Sequence, residues 1–117
     1  MLGFFNTIKV FEIALYGGKD PVTGKQIGPE TGNARDFTSI EQLKEAYLTQ
    51  QAYFIKRFVG KFNRMVSAHA YTMPTLLASA FTQGCIEKGK LLQDKGADYR
   101  WDAMATTGLG NIADSFT

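Results

Sequence analysis

The sequence predicts a mainly helical fold with one or two short strands. Two long stretches repeat apolar residues at helical spacing, and one short stretch alternates apolar with polar side chains as a strand does. The chain has 117 residues, 44% of them hydrophobic, which is sufficient for a core and ordinarily gives one domain.

Composition excludes several classes of function. The net charge is +2 with both signs mixed, so nucleic acid is not an expected partner. No run approaches the roughly 20 apolar residues of a membrane span. Lys9 and Glu12 interrupt the apolar stretch 1–18, which no cation precedes, so it is not a signal peptide. A single cysteine is compatible with a reducing compartment. We therefore expect a soluble, cytoplasmic protein without membrane or nucleic-acid partners.

The first predicted helix is apolar on more than one face, so it needs cover on most sides. Its end is predicted at Gly17–Gly18, because glycine accepts the left-handed conformation of a helix C-terminus. The residues that carry its periodicity are Phe5, Ile8, Phe11, Ala14 and Leu15.

The next stretch, residues 19–36, is rich in turn-forming residues and is predicted to be an irregular loop. Its Gly18 to Gly24–Lys25 segment resembles a phosphate-binding loop. However, five residues separate the glycines where four are required, and Gln26 replaces the magnesium-binding Ser or Thr. We therefore interpret it as a structural loop.

A long helix is predicted from a capping box at Thr38–Glu41 to shortly before Pro74. It would have about 33 residues and a length of about 50 Å. A compact domain of this size has a diameter of roughly 35 Å. Either Gly60 breaks the helix into a hairpin, or a larger body covers it. We favour the second, because one glycine costs only about 1 kcal/mol.

The remaining chain predicts three further elements. Pro74 suits the first turn of a close-packing helix that ends near Gly89 or by Gly96. Residues 97–104 alternate as a strand, and residues 106–110 are predicted to form a loop. Asn111 is then a candidate cap for a terminal helix.

Several motifs in this order resemble the glycyl radical enzymes of the pyruvate formate-lyase-like superfamily, and most closely their dehydratase, decarboxylase and lyase branches. The resemblance covers nearly the whole of residues 1–117. Lys95 departs from it, because the family commonly has a glycine there. The matching segments are Asp20–Gly24, Gly28–Gly32, Pro74 with Leu76–Ala80, Cys85–Lys90, Gly96–Ala97 with Tyr99, and Gly108–Ser115.

The resemblance implies a segment of a ten-stranded α/β barrel from a homodimeric enzyme several times longer. In such enzymes a radical S-adenosylmethionine activating enzyme abstracts hydrogen from a glycine near the C-terminus. The glycyl radical then oxidises an active-site cysteine, and its thiyl radical takes hydrogen from a small organic substrate. We expect these 117 residues to follow the active-site cysteine loop and to end before the C-terminal glycine loop.

Gly84–Cys85–Ile86–Glu87 matches the family's Gly-Cys-x-Glu active-site signature locally. Its flanks are instead similar to a downstream, structural cysteine segment of the family, and a lone cysteine on an apolar helix is usually a small buried hydrophobe. His69 has no second histidine or cysteine at metal-ligand spacing. We therefore assign no catalytic, cofactor-binding or metal-binding residue, and expect no cofactor of the chain's own.

The chain is therefore interpreted as an internal segment of a glycyl radical enzyme, either a truncated gene product or an excised piece, without radical chemistry of its own. Its partners would be the remainder of that enzyme, the activating enzyme, or a second copy through the apolar helices. The alternatives are a small helical interaction module and a small cysteine enzyme that uses Cys85 with His69.

Overall fold

A computed structural model describes residues 2–117, except the side chain of Leu2. The described residues form two compact units. The core unit comprises Phe4–Phe58 and Met104–Thr117; the helix-turn unit comprises Val59–Ala103 with residues 2 and 3. The elements are β1 (Leu2–Asn6), α1 (Thr7–Leu15), α2 (Ile40–Thr72), α3 (Leu76–Ala80), α4 (Cys85–Lys88), β2 (Ala103–Thr107) and α5 (Leu109–Ser115).

The two strands pair in one sheet, and each leads directly into a helix. Thr7 follows β1, Thr107 ends β2, and the Thr7 hydroxyl donates a hydrogen bond to the Thr107 carbonyl. Because the two C-terminal ends meet, the strands run in the same direction. The predicted first helix therefore begins only at Thr7, and Phe5, which we placed on it, lies in β1. Asn6 caps the helix by accepting from the Lys9 amide.

The core unit is held by aromatic packing of β1, α1, α2 and the residue that follows α5. Phe11 stacks edge-on against Tyr47 at 5.7 Å and against Phe116 at 5.3 Å between ring centroids. Phe5 makes a similar contact with Phe58 at 5.9 Å. The buried members of the cluster are Phe5, Val10, Ala14, Tyr47 and Ile112.

The long helix is confirmed, because α2 has 33 residues and continues through Gly60. Its start differs by one position from the predicted capping box. Ser39, not Thr38, accepts the Gln42 amide, and the Gln42 side chain accepts the Thr38 amide in return.

Three predictions in the last third are wrong. Pro74 precedes the helix that begins at Leu76, and that helix is interrupted because Gly84 adopts a positive φ of 88°. The strand lies at Ala103–Thr107, not at 97–104, and so includes two residues of the predicted loop. Asn111 lies inside α5, whose cap is Gly108. The predicted helix end at Gly89 is confirmed for α4.

Candidate functional site

Cys85 and Glu87 lie in different environments. Cys85 is the first residue of α4 and is 3% exposed, whereas Glu87 is exposed to solvent. The residue before the cysteine is a glycine because its φ of 88° is left-handed, and a Cβ there would lie 2.9 Å from the Gly96 carbonyl oxygen. The expected structural burial of the thiol is thus confirmed.

His69 lines a cleft in the helix-turn unit, between the last turns of α2 and the segment 92–102. The cleft has a volume of about 230 Å³. Two polar atoms around it are buried and lack a hydrogen-bond partner among the described residues, namely His69 Nδ1 and Gln93 Oε1. Cys85 does not line this cleft; its lining residues are Val66, His69, Leu92, Gln93, Tyr99, Arg100, Trp101 and Asp102.

Hydrogen bonds fix the segment that forms the outer wall of the cleft. Arg100 donates to the Gln93 carbonyl at 3.0 Å and pairs with the Asp102 carboxylate. The Gln93 side-chain NH₂ donates to Thr75 Oγ1 at 2.5 Å, which orients its amide. Lys95 adopts a φ of 59°, the left-handed conformation that favours glycine. Sequence reasoning missed Gln93, because a single glutamine in a turn has no distinguishing pattern.

The loop after α1 is closed on itself by hydrogen bonds from one side chain. The Gln26 side chain donates to the carbonyls of Gly17 and Gly28, at 3.1 and 2.8 Å. A hydrogen bond from Thr23 and the Lys9 ammonium lower the pKa of Asp20 in this loop from 3.8 to about 2, so its carboxylate is ionised and paired with Lys9. The interpretation as a structural loop agrees with this geometry.

Gln50 fastens the same loop to α2. Its side chain is fully buried, and its NH₂ donates to the Pro29 carbonyl at 2.6 Å and to Thr31 Oγ1 at 3.0 Å. A Cβ on Gly28 would lie 2.1 Å from Gln50 Oε1, so only glycine allows this approach. The segment 28–32 is therefore attached to α2 through the side chain of Gln50.

The described part of the chain contains no group of three His, Cys, Asp or Glu residues close enough to hold a metal ion.

Within residues 2–117, no helix combines the length and the apolar character needed to cross a bilayer.

The sequence motifs described above are explained by the similarity of this chain to one protein family. The family model described as pyruvate formate lyase-like matches residues 1–117, which is the whole chain. The chain belongs to the pyruvate formate lyase-like family. Its relatives include trans-4-hydroxy-L-proline dehydratase of Clostridioides difficile, at 39% identity over 117 residues, and (2S)-3-sulfopropanediol dehydratase of Klebsiella oxytoca, at 31% over 112 residues. These are glycyl radical enzymes.

Solved structures of this pyruvate formate lyase-like family agree with the fold. The substrate-bound hydroxyproline dehydratase of Clostridioides difficile matches all of this chain with a TM-score of 0.90 at 40% identity. The glycerol-bound glycerol dehydratase of Clostridium butyricum matches 97% of it with a TM-score of 0.87 at 37% identity. The chain covers only 15% of the first structure and 14% of the second.

Proposed function

We propose that this chain is an internal segment of a glycyl radical dehydratase that acts on a small hydroxylated organic molecule. One observation carries the proposal: all 117 residues superimpose on 15% of hydroxyproline dehydratase at a TM-score of 0.90. The named relatives act on hydroxyproline, glycerol, 1,2-propanediol and sulfopropanediol, which share a hydroxyl group. Dehydration is therefore favoured over decarboxylation, although one relative is an indoleacetate decarboxylase.

In this proposal, β1 and β2 are two neighbouring strands of an α/β barrel. Both lead into helices on one side of the sheet, as parallel strands of such a barrel do. The buried residue Phe5 packs with those helices, whereas the preceding Phe4 is 72% exposed. Successive strand residues point to opposite faces, so Phe4 marks a face that these residues leave uncovered. The remaining strands of the enzyme would cover it.

We further propose that the segment has no radical chemistry of its own, and that the radical-bearing glycine and the reactive cysteine lie elsewhere in the enzyme. The burial of Cys85 supports this, because a thiyl radical must reach its substrate. The test is electron paramagnetic resonance of the isolated chain with a radical S-adenosylmethionine activating enzyme. We expect no glycyl doublet; a doublet would contradict the proposal.

The role of the segment can be tested by exchanging it into a related enzyme. The 117 residues replace the matched segment of Clostridioides difficile hydroxyproline dehydratase, and the chimera is assayed with trans-4-hydroxy-L-proline after activation. We expect a folded chimera that forms the glycyl radical and retains dehydration. The control exchanges the matched segment of Clostridium butyricum glycerol dehydratase, which aligns with this chain at a TM-score of 0.87. An unfolded chimera beside a folded control would overturn the proposal.

A further inference from the structure

The sheet formed by β1 and β2 buries one face and leaves the other open. Phe5 of β1 is buried, and Met104 of β2 packs against the same cluster of side chains from α1 and α5. Successive strand residues alternate between the faces, so Phe4 on β1 shares the other face with Ala105 and Thr107 on β2. Both Phe4 and Thr107 are exposed. The helices therefore cover only the face that carries Phe5.

Thr107 is the last residue of β2, and a backbone hydrogen bond holds it in place. Its carbonyl accepts a hydrogen bond from the hydroxyl of Thr7, which is fully buried. The side chain of Thr107 takes no part in that bond, and it is exposed. A group on a fixed strand is positioned more precisely than one on a loop. The strand thus presents the Thr107 hydroxyl from a rigid position.

The carboxyl ends of parallel strands are where an α/β barrel holds its substrate, and its helices form the outer layer. Because α1 and α5 lie on the Phe5 side of the sheet, the open face is the one that turns towards the barrel interior. On that face the Thr107 hydroxyl stands with the apolar Phe4 and with Ala105, whose small side chain leaves space. Mostly apolar walls with a few fixed polar groups are typical of sites for small molecules.

We propose that Thr107 is a substrate-binding residue of the parent enzyme that helps to determine its specificity. Its hydroxyl forms a hydrogen bond with a hydroxyl group of the substrate. The inference rests on the proposed function, which supplies both the barrel and the substrate class, a small hydroxylated molecule. A threonine hydroxyl can donate and accept, as the hydroxyl of such a substrate can, so the two groups are complementary.

The test uses the hydroxyproline dehydratase chimera, which contains all 117 residues. Thr107→Val keeps the branched shape and the carbonyl that Thr7 needs, and it removes the hydroxyl. Binding of trans-4-hydroxy-L-proline before activation is measured by isothermal titration calorimetry. We expect it to weaken about tenfold, the factor for one neutral hydrogen bond lost. After activation, kcat/KM should fall by a similar factor with an unchanged yield of glycyl radical.

The control is Thr106→Val, the same substitution at the preceding residue, whose side chain points to the opposite face of the sheet. It should change neither binding nor kcat/KM. A second pair of variants separates the hydroxyl from packing, because Thr107→Ser and Thr107→Ala both lack the methyl group and only the first retains the hydroxyl. We expect the serine variant to bind the substrate about tenfold more tightly than the alanine variant.

Two kinds of result would overturn the inference. A folded chimera in which Thr107→Val binds as tightly as the unsubstituted chimera, or in which Thr106→Val weakens binding equally, removes the substrate contact while the proposed function stands. Equal binding by the serine and alanine variants has the same meaning, and it decides the question if Thr107→Val does not fold. A chimera that does not fold, beside a folded control, overturns the proposed function and the inference together.

Discussion

Cys85 illustrates how burial decides between two uses of a thiol. The local Gly-Cys-x-Glu signature favours a reactive residue, whereas 3% exposure favours a packing role. We expect a thiol reagent to label Cys85 slowly in the folded chain and rapidly in urea. Cys85→Ser, which buries a hydroxyl, should lower the free energy of unfolding by about 1–3 kcal/mol, and Cys85→Ala by less. Equal labelling rates with and without urea would contradict the structural role.

Gln50 is a residue that sequence reasoning could not find, because a glutamine on a helix is normally solvated. Gln50→Ala removes both bonds to the Pro29–Thr31 segment and leaves a cavity. We expect a loss of about 2 kcal/mol of stability and faster amide exchange in residues 28–32. The neighbouring Gln51→Ala is the control, and both are measured by urea unfolding. If the two variants lose equal stability, Gln50 is not the anchor.

At the scale of elements, patterns that extend over many residues predicted the fold best. The 33 residues of α2 repeat their apolar stripe for nine turns, so a single glycine could not outweigh it. The strand β2 was misplaced because Tyr99 and Trp101 alternate with charged residues, although both are highly exposed. The actual strand, Ala-Met-Ala-Thr-Thr, contains no aromatic, Val or Ile residue, and only its two threonines favour a strand, so its β signal is weak. The position of β2 depends on its pairing with β1. A local sequence pattern carries no information about that pairing.

Gly60 lies in α2, and beyond its chain neighbours and the nearby backbone of its own helix no described atom lies within 4 Å of the place where a Cβ would stand. Gly60→Ala should therefore raise the stability of the isolated chain by about 1 kcal/mol. Gly108→Ala is the contrasting variant, because Gly108 has a φ of 87° and its Cβ would lie 2.2 Å from Ile8 Cγ1. It should destabilise by at least about 1 kcal/mol. Thermal unfolding measures both, and a destabilising Gly60→Ala would indicate a hidden role for that glycine.

The loop after α1 has a predictable response to acid. The hydrogen bond from Thr23 and the Lys9 ion pair hold the pKa of Asp20 at about 2 instead of 3.8. The carboxylate therefore contributes stability that is fully present above pH 4 and is lost as the pH falls through 2. An NMR titration of the Asp20 carboxyl should show the low pKa. Thr23→Val should raise it towards its ordinary value; an unchanged pKa would rule out the hydroxyl as its cause.

At the scale of the whole chain, the exposed apolar surface separates two interpretations. The chain is either a segment of a larger enzyme or an independent interaction module. In the helix-turn unit, large side chains are exposed at Leu76, Leu77, Phe81 and Ile86 as well as along the cleft. We expect the isolated chain to bind a hydrophobic dye and to self-associate in gel filtration. A cooperative monomer with little dye binding would instead favour an independent interaction module.

The hydrogen bond from Thr7 to Thr107 joins residues 100 positions apart, and the sheet depends on both ends of the stretch. A ribosome adding about 5–20 residues per second needs roughly 5–20 s to synthesise that interval. During that time β1 and the apolar helix α1 leave the exit tunnel before β2 and α5 have been made. Chaperone binding to the nascent chain should therefore peak after α1 emerges and decline once α5 does.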